Sequence, residues 1–133
     1  MILIDSSAWV EFERASDSAT DRHLQHLMAT GASIAVSEPI LMEVLAGARN
    51  DSERRRLERV LKSFEWIETD VHSDFDSASR VYSLCRAAGF TPRGLIDCMI
   101  AAIAMRTRST LLTADRDFIA ISEIMPLMLE PTN

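Results

Sequence analysis

Lysine, glycine, proline and cysteine are all scarce in this chain of 133 residues, which has one Lys, four Gly, four Pro and two Cys. No linker, repeat or low-complexity stretch interrupts it, so a single domain is expected over residues 1–133. A chain of this length buries roughly two-thirds of its unfolded surface, and a hydrophobic content of 47% suits an ordinary core. Cys85 and Cys98 stand alone, one in each of two helical patterns, which excludes a disulfide scaffold and suits small buried hydrophobes in a reducing compartment. Histidine is also rare. His23 and His26 are three apart on a polar helix, but no Cys or acid pattern completes a zinc site around them, and His72 falls in a loop. No apolar run approaches the roughly 18 residues of a membrane span, and the opening reaches Asp5 too soon for a signal-peptide core. A cytoplasmic protein with no membrane partner is expected.

Twenty acids against fourteen bases give a net charge of −6, which at first argues against a nucleic-acid partner. Setting aside the four acids singled out below leaves −2 for the remainder. All the bases but Lys62 are arginine, the side chain suited to bidentate phosphate contacts and base stacking. The balance permits RNA.

Hydrophobic periodicity predicts strands alternating with helices. A buried strand over 1–5 leads to a helix over 6–14 capped by Asp or Ser. A polar helix over 18–30 ends at Gly31, and a short strand follows at 33–36. Ser37 then caps a helix, with Pro39 in its first turn, that ends near Gly47. A charged helix over 51–64 turns Leu57, Val60, Leu61 and Phe64 inward. A strand is expected at 66–68, a helix over 73–88 stopped by Gly89 and Pro92, and a helix over 95–107 that is apolar nearly all round. The chain closes with a strand at 110–113, a helical turn at 117–121 and a last strand at 125–129. Such alternation predicts a parallel sheet covered on both faces, with ligands bound beyond the carboxyl ends of its strands.

Against this pattern four acids sit in apolar company: Asp5 in Ile2-Leu3-Ile4-Asp5-Ser6-Ser7, Glu43 in Ile40-Leu41-Met42-Glu43-Val44, Asp97 in Leu95-Ile96-Asp97-Cys98 and Asp115 in Leu111-Leu112-Thr113-Ala114-Asp115. Each has an ordinary explanation alone. Asp5 can cap a helix, Asp97 can face a helix dipole, Asp115 can serve a turn, and Glu43 can be a solvated boundary residue. Two strand-end acids and two helix acids together suggest a site for a cation, because a buried carboxylate without a partner costs several kcal/mol. Hard oxygen donors without His or Cys suit Mg²⁺ or Mn²⁺.

These segments, with Glu38-Pro39 before Glu43, Ile100-Ala101-Ala102 after Asp97 and Arg116-Asp117-Phe118 after Asp115, resemble the PIN-domain nucleases, and more narrowly the VapC toxins of bacterial toxin–antitoxin pairs. The match runs along essentially the whole chain, in order. The resemblance implies an α/β fold, a PIN-like α/β/α sandwich around a mainly parallel, twisted sheet, and a Mg²⁺-dependent endoribonuclease restrained by a small antitoxin. It assigns Asp5, Glu43, Asp97 and Asp115 to a catalytic, metal-binding quartet, with Ser7 and Thr113 as supporting hydroxyls. Asp117 falls on a position that is acidic in many members, so the choice between Asp115 and Asp117 as the nearer ligand is open. Ala114 brings no polar side chain to a position where the family varies. The resemblance further implies a homodimer that reaches operator DNA only through its antitoxin, whose helix would lie in a hydrophobic groove and deliver an Arg to the acids. Trp9, Phe12, Phe64 and Trp66 are either core or part of that partner surface.

Among the bases, Arg93 and Arg116 stand nearest the acids in sequence and are candidates for substrate phosphates. Arg54, Arg55, Arg56 and Arg59 are interleaved with acids and read as a solvated helix face. The mechanism expected is hydrolysis of an RNA phosphodiester by an activated water, since no suitable His pair exists to use the 2′ hydroxyl. Alternatives are an RNA-processing nuclease outside a toxin pair, or a metal-binding phosphoacceptor or binding module without nuclease activity. A phosphoacceptor needs a Lys near its phosphate, and Lys62 lies in the charged helix. A dehalogenase-type phosphatase needs an acid two residues after Asp5, where Ser7 stands.

Overall fold

In the computed structural model, which describes residues 1–132, four strands form one parallel sheet: β1 (Ile2–Ile4), β2 (Ile34–Val36), β3 (Glu65–Trp66) and β4 (Thr110–Leu112), in the spatial order β3-β2-β1-β4. Leu3, Ile4, Ala35, Val36, Leu111 and Leu112 are all fully buried. Successive strand residues face opposite sides of a sheet, so both faces of this one are covered. Around it pack seven helices, α1 (Ser6–Glu13), α2 (Ala19–Ala29), α3 (Glu38–Ala46), α4 (Asp51–Lys62), α5 (Asp74–Ala87), α6 (Leu95–Thr107) and α7 (Asp117–Ile124), among the described residues. α1 packs against α2 and α3, α3 against α4, and α5 against α6 and α7. α3 also meets α6.

Local chemistry sets the helix ends. Ser18 accepts a hydrogen bond from the Asp21 amide at 3.1 Å and Asn50 accepts one from the Glu53 amide at 2.8 Å, satisfying donors that the first helical turn leaves free. Ser37 stands at the cap position of α3 but makes no capping bond, and its hydroxyl is buried without a partner. Gly89, at φ +94°, turns the chain out of α5 in a conformation that costs other residues strain. From Cys98 to Ala104 every residue of α6 is buried, as its all-round apolarity requires. Burial also raises both cysteine thiols, Cys98 to about 11, so neither is reactive at neutral pH.

The structure corrects several boundaries. β3 is two residues at Glu65–Trp66 rather than a strand at 66–68, and α7 runs to Ile124, well beyond the expected turn. The strand expected at 125–129 reduces to one bridge, Leu111 to Leu129, because Pro126 has no amide proton to donate. The aromatic cluster belongs largely to the core. Trp9 is fully buried, with the Phe12 and Phe64 rings 6.0 and 5.5 Å from it, and those two and Trp66 are partly buried.

Candidate functional site

β1 and β4 are paired in register, Ile4 opposite Leu112, and the Asp5 amide continues the ladder to the Leu112 carbonyl at 2.9 Å. The residues after both strands therefore emerge together. Asp5 caps α1 and is 2% exposed. Its Oδ2 accepts hydrogen bonds from the Ser7 hydroxyl at 2.5 Å, the Thr113 hydroxyl at 3.0 Å and the Ser7 amide at 3.3 Å. Its Oδ1 is buried with no partner, and burial raises the carboxyl pKa despite those donors. Ala114, which has no polar side chain, contributes through its backbone, its amide donating to the Ser7 hydroxyl at 2.9 Å.

Around Asp5 opens a cleft of about 940 Å³ lined by Glu43, Asp97, Asp115, Asp117 and three arginines, Arg14, Arg93 and Arg116. Glu43 reaches it from α3, whose buried face is marked by Ile40, Val44 and Leu45. The Ser6 hydroxyl donates to Glu43 Oε1 at 2.8 Å. Burial raises the pKa of Glu43, and the charges of Asp5 and Asp115 add to the rise. Asp97, in the first turn of α6, is pushed up to about 7, first by burial and then by Asp5, Asp115, Glu43 and Asp117. A carboxyl raised by burial and then by four neighbouring acids is one member of a concentrated cluster of negative charge.

Carboxylate oxygens of Asp97, Asp115 and Asp117 lie within 4.8 Å of one another, with Asp5 and Glu43 lining the same cleft. All four quartet residues and Asp117 thus come together. Asp117 stands level with Asp115, and both are held by one guanidinium: Arg93 Nη2 donates to Asp115 Oδ1 at 2.7 Å and Arg93 Nε to Asp117 Oδ2 at 2.9 Å. Arg116 lines the cleft without an ion pair among the described residues, as does Arg14, which the sequence reading passed over. The signal for Arg14 was available: Ser7, Val10 or Glu11, and Arg14 fall at helical spacing on the cleft side of α1 and its C-terminal cap. Ser6 was also missed as the partner of Glu43, and no local pattern reports that contact.

The rival features lie elsewhere. Lys62 pairs with Glu58 on α4 at 2.7 Å, outside the cleft lining. His23 bonds Glu130 at 3.0 Å rather than joining His26 around a metal. Arg56 is engaged by Glu13 at 2.8 Å.

The donor set fits a hard divalent cation. It is made only of carboxylates, it carries an orphaned buried oxygen on Asp5, and burial together with the neighbouring acids raises Asp97. A parallel sheet that gathers acids from two strand ends and two helices in one cleft defines an α/β protein with an acidic site suited to a divalent cation. The PIN domain family model matches residues 2–124, and the chain belongs to the PIN-domain family. It is 41% identical over 128 residues to "Ribonuclease VapC11" of Mycobacterium tuberculosis, covering 96% of each chain. Among solved structures it is similar to VapBC2 of Rickettsia felis, bound to a promoter DNA fragment, with a TM-score of 0.76 at 21% identity over 98% of both chains. FitAcB of Neisseria gonorrhoeae gives a TM-score of 0.73 at 19% identity, over 99% of this chain and 98% of that one. These two establish the likeness of fold.

Proposed function

We propose that this protein is an endoribonuclease toxin that hydrolyses RNA phosphodiesters with Mg²⁺ or Mn²⁺ and is held in check by a small cognate antitoxin in the cytoplasm. The observation that carries the reading is the cluster of Asp97, Asp115 and Asp117 beside the orphaned Asp5 oxygen in one open cleft. The 41% identity to a named VapC ribonuclease supports the same activity. A cation bound there would supply Lewis acidity, lowering the pKa of an attacking water and offsetting charge on the phosphodiester.

Asp97, Asp115 and Asp117 would hold that cation, with Asp5 in the same cleft, oriented by Ser7 and Thr113, as a further ligand. Glu43, fixed by Ser6 through Oε1, keeps Oε2 for a proton from the water. Its pKa, raised by burial, brings it closer to the pKa suited to a base at neutral pH. Arg14 and Arg116 flank the cleft and supply positive charge for the phosphates on either side of the scissile bond. Products of attack by water carry 5′-phosphate and 3′-hydroxyl ends. Operator DNA is reached through the antitoxin, and the active form is a homodimer.

Expression of the protein alone is expected to arrest bacterial growth, and co-expression of the adjacent small partner to restore it. New 5′ ends mapped in total RNA incubated with the pure protein and Mg²⁺ should carry phosphate. Normal growth with verified folded protein, and no cleavage in vitro, would overturn the proposal.

A further inference from the structure

We propose that Arg93 is an internal counter-ion of the acidic site, a placeholder that a divalent cation must displace and that is then released toward the substrate phosphate. The inference rests on the metal-dependent reading above and adds a competitor from within the chain. The guanidinium of Arg93 occupies one oxygen of Asp115 and one of Asp117, two of the three carboxylates closest to one another in the cleft. A cation bound among these carboxylates competes with the guanidinium for their charge and is repelled by it at close range, so each occupant weakens the other. A planar fork with separate Nε and Nη2 donors can span two carboxylates in this way, whereas an ammonium offers a single point charge.

Arg93 is also built to leave. Its side chain is 71% exposed while those of Asp115 and Asp117 are 21% and 15% exposed, so the acids are fixed and the base is held mainly by its head group. It sits outside any helix or strand, just before the Gly94 cap of α6. Its reach covers Asp115 and Asp117 but not Asp97, whose carboxyl stays uncompensated beside them. Arg93 therefore neutralises the metal-free site only in part and holds its acids together without filling it. Once displaced, the freed guanidinium would stay at the rim of the cleft it lines, available to a substrate phosphate.

The test measures Mn²⁺ binding to the full chain by electron paramagnetic resonance and calorimetry, on wild type, R93Q and R93K. Removing a competing counter-ion should tighten Mn²⁺ binding in R93Q by roughly threefold to tenfold, the range set by two exposed ion pairs. R93K should fall between. The advantage of R93Q over wild type should shrink in high salt, which screens an exposed pair. In a ¹⁵N spectrum the Arg93 Nε–H resonance, assigned by its absence in R93Q, should move toward the position of a free arginine as Mg²⁺ is added. A purely structural role predicts the opposite sign, with R93Q binding Mn²⁺ more weakly and melting lower. Equal Mn²⁺ affinity in wild type and both variants, or an Arg93 resonance unmoved at saturating Mg²⁺, would overturn the inference while leaving the metal reading intact. If R93Q fails to fold, R93K decides by the same sign. Failure of all three proteins to bind Mn²⁺ would overturn the metal reading and this inference with it.

Discussion

The Thr113 hydroxyl donates to Asp5 Oδ2 across 3.0 Å, although the two residues are 108 apart in sequence. They meet because β1 and β4 are parallel neighbours, and each residue follows directly from its strand. The same hydroxyl accepts a hydrogen bond from the Asp115 amide at 3.0 Å, so Thr113 orients one acid through its side chain and positions the backbone of another.

Replacing Thr113 by Val removes both bonds while keeping the side-chain shape. Second partners of metal ligands are typically worth about 10- to 100-fold in affinity or activity, and a loss at the lower end of that range is expected here because Ser7 remains on Asp5. The check is kcat/KM on an RNA substrate beside Mn²⁺ affinity, with both falling together.

Asp97→Asn should abolish cleavage yet stabilise the metal-free protein. With its pKa raised from 3.8 to about 7, Asp97 keeps a proton in the folded state that the unfolded chain has released. Stability of the metal-free wild type therefore falls as pH rises from about 4 to about 7, and then levels off. The variant escapes this loss, so its advantage should grow across that window to about 1–2 kcal/mol, allowing for the partial exposure of the side chain. Thermal melts in EDTA at several pH values measure it. A variant that melts below wild type at pH 8 would mark Asp97 as a structural residue.

Activity should vanish in EDTA, return with Mg²⁺ or Mn²⁺, and not return with Ca²⁺, whose longer bonds and looser coordination disturb in-line attack. Binding of Mg²⁺ should raise the melting temperature, more at pH 8 than at pH 6, because at pH 6 a proton on Asp97 competes with the cation. Full cleavage in EDTA would sink the mechanism.

Away from the cleft, Arg106 clamps the buried Asp74 with two bonds of 2.9 Å and reaches the Glu68 carbonyl with a third contact of 2.9 Å. Arg106→Ala leaves Asp74, 1% exposed, without its cation and should cost about 2–3 kcal/mol in denaturant unfolding. At temperatures where the variant stays folded, Mn²⁺ affinity should match wild type, which separates loss of fold from loss of site.

Much of the site was legible because strand and helix patterns are local. The apolar run before Asp5 marks a strand end, and Thr113-Ala114-Asp115 follows another, so both acids belong at the same sheet edge once the sheet is parallel. The inward stripe Leu57 and Leu61 and the buried run of α6 were likewise visible as periodicity. The last strand was less legible, since its apolar residues satisfy the pattern while Pro126 denies it a ladder.

Sequence by itself determined the alternation of strands and helices, the chemistry of the donors and the excess of negative charge among them, because composition and spacing act within a few residues. Only the tertiary structure decided which oxygens meet. The register of β1 against β4 brings Thr113 to Asp5, the packing of α3 on α1 brings Glu43 to Ser6, and the loop before α6 brings Arg93 across to Asp115 and Asp117. Those contacts join residues 22 to 108 positions apart. Their geometry depends on how whole elements pack, and carboxylate and guanidinium charges interact strongly only when that packing has brought them within a few ångströms.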